Sequence, residues 1–203
     1  PGNTRISGET NPDYTSVWSF ANDFPTLTET AYEVAHEDGP YRARTSKGLC
    51  EVVNYSPDHS QRLSSLDADG VVALVDAWAG VYARVGARDD IAYPLIFENR
   101  GTIMGNSQPH PHGQVYAYST IPDLIVGPQI EEFAGYRARK DGACFVCDAA
   151  RSELADGRRV LTSDKHMTAF VPYAAQYPYD IIVTPTRHVA SLLDLDRDER
   201  RSL

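Results

Sequence analysis

The chain is short of the groups that hold polyanions or cross-link secreted folds. It carries only 19 Lys and Arg against 28 Asp and Glu, a formal net charge of −9. That balance excludes duplex nucleic acid as the main partner, because gripping a phosphate backbone needs clustered Lys and Arg. It leaves an anionic small ligand open, since backbone amides and a few side chains suffice for one phosphate. Cysteine is scarce as well, at Cys50, Cys144 and Cys147. An odd number, two of them in Cys-x-x-Cys spacing, suits a reducing compartment better than a disulfide framework. No apolar run approaches membrane length and no stretch reads as a secretory leader, so a cytoplasmic protein is expected. P-loop and dinucleotide-binding fingerprints are missing too.

What is present is a globular composition. An apolar content of 42% can bury a core, and 203 residues suit one large domain or two small ones. Residues 1–13 are polar and rich in turn formers. Tyr14 to Phe20, Leu49 to Tyr55, Tyr93 to Glu98 and Gly113 to Tyr118 have the β-branched and aromatic content of strands, the last two reading as buried. From Leu66 to about Ala87, apolar residues including Val71, Leu74, Val75, Trp78, Val81 and Val85 recur at helical spacing. Asp67 is the expected N-cap, with Gly86 near the end. Residues 129–139 fit a short helix.

The chain also echoes itself. Val52-Val53-Asn54-Tyr55-Ser56-Pro57-Asp58-His59 is followed by Leu63-Ser64-Ser65-Leu66-Asp67. Near residue 180, Ile181-Ile182-Val183-Thr184-Pro185-Thr186-Arg187-His188 is followed by Ala190-Ser191-Leu192-Leu193-Asp194. Each passage predicts a strand, a Pro-containing turn, a His and a helix start. Two copies of one α+β unit are expected, over 1–140 and 141–203, with the second cut short as its helix begins.

Reactive residues concentrate between Phe97 and Gln114. Gly101, Gly105 and Gly113 let main chain approach a ligand closely. Pro109 and Pro111 stiffen the run His110-Pro111-His112 and bias it toward extended backbone, where residues two apart share a side. Neutral imidazole dominates near pH 7 and can attack phosphorus without prior activation. The phosphoramidate it forms is labile enough to pass the group on. A His-x-His metal pair is the rival reading of the same residues.

The run Phe97-Glu98-Asn99-Arg100-Gly101 through Gly105-Asn106-Ser107-Gln108-Pro109-His110-Pro111-His112-Gly113-Gln114 resembles the active-site signature of galactose-1-phosphate uridylyltransferases, a branch of the histidine-triad superfamily. The resemblance extends through Asn11-Pro12-Asp13-Tyr14, Phe20-Ala21-Asn22-Asp23-Phe24, Ser56-Pro57-Asp58-His59 and Val171-Pro172-Tyr173, and so covers nearly the whole chain. It implies an α+β fold of tandem histidine-triad-like units, each an antiparallel sheet with flanking helices. It implies that His112 takes uridylyl from UDP-glucose and passes it to galactose 1-phosphate, with Gln114 donating to the phosphoryl oxygens. Ser107 and Gly105 would line the phosphate site, and Asn99 with Phe20, Asn22, Asp23 and Phe24 would hold uridine.

By the same resemblance His59 and His110 are structural zinc ligands. The family's usual Cys-x-x-Cys partner would stand just before Pro1, so a weakened or empty site is expected in this chain. Cys144, Cys147 and His188 hold the corresponding places in the second unit and could form part of a second zinc site. Cys50, in a strand, reads as a buried apolar residue. The usual enzyme is a dimer, and its hexose contacts lie further along the second unit, so a homodimer or a complementary C-terminal chain is the expected partner. Another histidine-triad phosphorylase or hydrolase, and a silent UDP-sugar-binding subunit of a split enzyme, are the competing functions.

Overall fold

The computed structural model describes residues 2–106, 108–124 and 126–203. The chain divides into two compact units between Pro122 and Asp123.

The first unit is built on a four-stranded antiparallel sheet. Its strands are β1 (Trp18–Ala21), β4 (Gly48–Asn54), β5 (Tyr93–Phe97) and β6 (His112–Tyr118), in the order β1-β4-β6-β5. Alternation along β4 and β6 decides what each face does. Val53, Val115 and Ala117 point to one side and are fully buried. There they meet helix α1 (Ala68–Gly86) through Leu74, Val81 and Val85, with Tyr55 in the same cluster. The Asp67 side chain starts the helix as expected, accepting from the Gly70 amide at 2.8 Å. Arg84 near its end donates to both oxygens of the buried Glu51 on β4, at 2.8 and 2.7 Å. Gly48 starts β4 where no side chain fits, since a Cβ there would stand 1.9 Å from the Ala117 carbonyl oxygen.

The structure corrects several expectations. The first strand starts at Trp18 rather than Tyr14, because residues from Pro12 turn back, the Tyr14 amide bonding to the Pro12 carbonyl at 3.0 Å. Neither β5 nor β6 is a fully buried strand. β5 lies at the sheet edge and is half-buried throughout, while β6 alternates because one face of the sheet is open. A hairpin was unforeseen: β2 (Ala35–Asp38) and β3 (Tyr41–Arg44) pair antiparallel around Gly39, with every residue exposed.

The second unit contains helices α2 (Val126–Arg139), α3 (Phe145–Asp156) and α4 (Arg197–Ser202) and a three-stranded antiparallel sheet. That sheet orders β7 (Val160–Ser163), β8 (Met167–Phe170) and β9 (Ile182–Pro185) as β7-β8-β9. Phe133 of α2 stacks on Phe145 of α3 at 5.4 Å, and the Tyr136 hydroxyl donates to Asp148 at 2.8 Å. Helix α3 stops at Gly157, whose left-handed φ of 74° favours glycine. Asp196 caps α4 by accepting from the Glu199 amide at 2.9 Å, and Glu199 returns the contact to the Asp196 amide at 2.8 Å.

One local order occurs in both units. β4 leads through Pro57 and His59 to a 3-10 turn over Leu63–Ser65, then to Asp67 and α1. β9 leads through Pro185 and His188 to a 3-10 turn over Leu192–Asp194, then to Asp196 and α4. No helix among the described residues is long and apolar enough to cross a membrane.

Candidate active site

The sheet face opposite α1 is the floor of a cleft of about 630 Å3. Strand register builds it in two cross-strand rows. Trp18, Asn54 and His112 lie side by side, and so do Phe20, Val52 and Gln114. The extended run into β6 therefore puts His112 and Gln114 on one face, two residues apart, and both line the cleft. Gly113 between them points the other way, where an added Cβ would stand 2.5 Å from the Tyr55 hydroxyl and 3.1 Å from the Phe97 carbonyl oxygen. Only glycine lets β6 lie this close to its neighbours.

Hydrogen bonds assign the tautomer of His112. Its Nδ1 lies 2.7 Å from the His110 carbonyl oxygen, which can only accept. Nδ1 therefore carries the proton, and in the neutral ring Nε2 holds a free lone pair. The His110 ring is held by a chain of polar contacts. Asn54 Nδ2 donates to the Tyr14 hydroxyl at 3.1 Å, and that hydroxyl lies 3.2 Å from His110 Nε2. With Tyr14 donating to Nε2, the proton of His110 sits on Nδ1, which faces His59 Nδ1 at 2.8 Å. Burial and the neighbouring His59 and His112 rings push the pKa of His110 below its ordinary value, which keeps it neutral.

Four of the expected uridine residues share this cleft. Phe20, Asn22, Asp23 and Phe24 all line it. Phe20 stacks on Trp18 at 4.4 Å, whereas Phe24 stands 78% exposed at the rim. Asn22 also shapes the loop, its Oδ1 accepting from the Phe24 amide at 2.9 Å. The structure does not bring Asn99 or Gly105 into the cleft lining. Asn99 follows the end of β5 and is half-buried, and Gly105 closes an exposed 3-10 turn with φ of 82°. Ser107 lies outside the described residues. Arg5, Asn11, Tyr14 and Asn54 also line the cleft and were not expected there from the sequence. Tyr14 was within reach, in the Asn-Pro-Asp-Tyr motif, and so was Asn54, a polar residue closing an apolar strand. Asn11 contributes a buried Oδ1 with no hydrogen-bond partner among the described residues.

The two expected metal groups differ in their fit to zinc. No third Cys, His, Asp or Glu among the described residues joins His59 and His110. The 2.8 Å between their Nδ1 atoms is also shorter than the ~3.4 Å that tetrahedral ligands at about 2.0–2.1 Å from zinc would keep. The pair alone does not make a structural zinc site.

Cys144, Cys147 and His188 do converge, with their ligand atoms all within 4.8 Å of one another. Cys144 is the N-cap residue of α3 and Cys147 lies in its first turn. Cys147 Sγ is 3.3 Å from His188 Nδ1. Burial works against the Cys144 thiolate, but hydrogen bonds from Cys147 and Val146 and the charge of Arg137 together hold that thiol below its ordinary value. Burial and the Cys144 sulfur push Cys147 up. Two soft sulfurs and an imidazole suit zinc and supply three of its usual four ligands. A further group, His166, Asp196 and Glu199, is a poor cation site because Arg187 donates to both oxygens of Glu199, at 2.5 and 2.7 Å.

Known proteins are similar to this chain over its length. The galactose-1-phosphate uridyl transferase N-terminal domain family matches residues 1–122, and the corresponding C-terminal domain family matches 129–203. The chain is 34% identical over 213 residues to the galactose-1-phosphate uridylyltransferase of Cryptococcus neoformans var. neoformans serotype D, covering 100% of this chain and 56% of that protein. It is 33% identical over 204 residues to the Haemophilus influenzae enzyme of the same name, covering 100% of this chain and 57% of that one. A solved uridylyltransferase structure superposes with a TM-score of 0.84 at 27% identity, over 96% of this chain and 60% of the other. A galactose-1-phosphate-uridylyltransferase-like protein from Arabidopsis thaliana gives 0.76 at 26% identity, over 92% and 57%. The chain thus spans a little over half the length of the curated relatives it matches. It belongs to the galactose-1-phosphate uridylyltransferase family.

Proposed function

We propose that this chain carries the uridylyl-transfer site that moves UMP from UDP-glucose to galactose 1-phosphate through His112. The observation that carries the reading is the contact from His112 Nδ1 to the His110 carbonyl, which leaves Nε2 as the nucleophile. In the first step Nε2 bonds to the α-phosphorus of UDP-glucose, the bond from that phosphorus to the bridging oxygen breaks, and glucose 1-phosphate leaves. The ring then carries positive charge, which the His110 carbonyl oxygen stabilises through Nδ1–H. In the second step a phosphate oxygen of galactose 1-phosphate attacks the same phosphorus, Nε2 is released, and UDP-galactose forms. No proton has to be removed from the attacking imidazole, so no separate general base is needed.

Gln114, one residue pair further along β6, donates to the non-bridging oxygens as charge builds. Removing one such donor typically costs about 10²–10³ in rate. Phe20, Asn22, Asp23 and Phe24, which line the cleft, hold uracil and ribose; the phosphate role of Gly105 and Ser107 and the nucleoside role of Asn99 rest on family resemblance alone. Zinc bound at Cys144, Cys147 and His188 would supply a structural cross-link between the start of α3 and the segment after β9. His59 and His110, which do not fit zinc by themselves, are given no metal role.

The two units are read as copies of one histidine-triad-like α+β unit, on the shared order of strand, Pro, His, 3-10 turn and Asp-capped helix. The working enzyme is read as cytoplasmic, with a second copy of the chain or a complementary chain as its partner.

Exchange kinetics test the reaction. Labelled glucose 1-phosphate should enter UDP-glucose with no galactose 1-phosphate present, because the first half-reaction reverses by itself. Exchange that depends strictly on the second sugar phosphate would overturn the covalent route.

A further inference from the structure

Arg5 lies in the polar N-terminal segment, in a turn closed by a Thr4–Thr10 bridge and an Arg5 amide bond to the Glu9 carbonyl at 2.8 Å. No motif marks it, yet its side chain is only 12% exposed. It lines the cleft beside residues assigned above to the nucleoside. Its Nη2 and Nε both reach Oδ1 of Asp23, at 2.7 and 3.2 Å. Nη2 also donates to the Ala21 carbonyl, and the guanidinium stands 4.6 Å over the Phe20 ring.

One cation thus fixes three parts of the same wall. Both side-chain contacts to Asp23 fall on Oδ1, and no described residue donates to Oδ2. A carboxylate with one oxygen occupied and one free is set to accept from a sugar hydroxyl. The planar fork of arginine restrains its rotation in a way a lysine point charge does not. Stacking on Phe20 ties the same guanidinium to the ring that would face the base.

We propose that Arg5 is a positioning residue for ribose recognition, orienting Asp23 so that Oδ2 meets the 2′ and 3′ hydroxyls of the nucleotide. This rests on the assignment of the cleft to uridine. Arg5 is not placed against the reacting phosphorus and acts through Asp23.

The test is calorimetric binding of UMP and 2′,3′-dideoxy-UMP to the wild-type chain and to Arg5→Lys, Asp23→Asn and the double variant. Wild type is expected to prefer UMP by about tenfold or more, the usual consequence of a charge-assisted hydrogen bond. In Arg5→Lys the preference should fall to about twofold to threefold, mostly through weaker UMP binding, with dideoxy-UMP nearly unchanged. The double variant should discriminate no worse than Asp23→Asn alone. Equal weakening of both ligands would show that Arg5 only braces the fold and would overturn the proposal. A preference retained in Arg5→Lys but lost in Asp23→Asn would overturn it too, while leaving the uridine cleft intact. Failure of wild type to bind UMP at all would overturn the uridine cleft itself, and the role of Arg5 with it.

Discussion

The passages from β4 to α1 and from β9 to α4 follow the same local course and deliver a histidine to different company. In the first unit His59 meets another imidazole, with its Nδ1 2.8 Å from that of His110. In the second, His188 meets a thiol, 3.3 Å from Cys147 and close to Cys144. The short pattern of strand, Pro, His and Asp-capped helix fixes where the imidazole stands. Segments far away in sequence decide what it does there: the run before β6 in one unit and the start of α3 in the other. The sheets differ in the same sense. That of the first unit packs one face on α1 and opens the other onto a cleft floored by His112 and Gln114. In the second, β9 keeps Ile182 and Val183 exposed.

Substitutions that touch one unit at a time sharpen this contrast. Leu74 is fully buried between α1 and the first sheet, so Leu74→Ala should cost about 2–5 kcal/mol. Thermal unfolding should show that loss in the first unit, while zinc uptake by the thiols of the second keeps its midpoint. A parallel loss of zinc uptake would mean the units do not behave separately. Cys144→Ser should weaken zinc by more than the roughly 10–100-fold that loss of an outer-shell partner costs, as read by competition with a chromogenic chelator. UMP binding in the first unit should not change.

A smaller effect is expected from Gly113→Ala. Its Cβ would press on the Tyr55 hydroxyl and the Phe97 carbonyl, costing about 1–3 kcal/mol. Shifting β6 should also weaken UMP binding, whereas Gly80→Ala on α1, with nothing within 4 Å of the new Cβ, should leave binding intact. Acid should act mildly and mainly on the second unit. The Arg187 ion pair holds Glu199 down from 4.5 to about 2, and a hydrogen bond from Ser202 holds Asp164 down from 3.8 to about 2. Carboxylates with lowered folded pKa values stabilise fully above their unfolded values, and the stabilisation is lost as pH falls through the folded ones. The second unit should therefore weaken between about pH 4.5 and 2, and Glu199→Gln should flatten that slope. An unchanged slope would show that this ion pair does not govern acid unfolding.

Much of the first unit was legible because its signals are local. Period-3.6 apolar spacing and Asp67 mark α1 to within two residues, and the Pro-His-Pro-His run announces an extended segment entering β6. The exposed hairpin β2–β3 was not legible, since a pairing that buries nothing imposes no apolar alternation. Helix α3 was missed for a related reason: only Ala150 and Glu153 of its twelve residues are buried, leaving a weak apolar stripe. Of the residues lining the cleft, His112, Gln114, Phe20, Asn22, Asp23 and Phe24 could be expected from the family motifs that carry them. Arg5 could not, because its importance comes entirely from contacts across 16 and 18 residues of chain. The exclusion of Asn99 and Gly105 from the cleft lining likewise depends on how the chain leaves β5, which spacing alone does not encode.

The central claim is that His112 Nε2 becomes covalently uridylylated, and intact mass spectrometry under non-acidic conditions reads it directly. Mixing the chain with UDP-glucose should add one uridylyl group, which peptide mapping places on His112. Galactose 1-phosphate should remove that group, and His112→Ala should never acquire it. A folded wild-type chain that binds UMP yet gains no mass, or gains it equally in His112→Ala, would contradict the account.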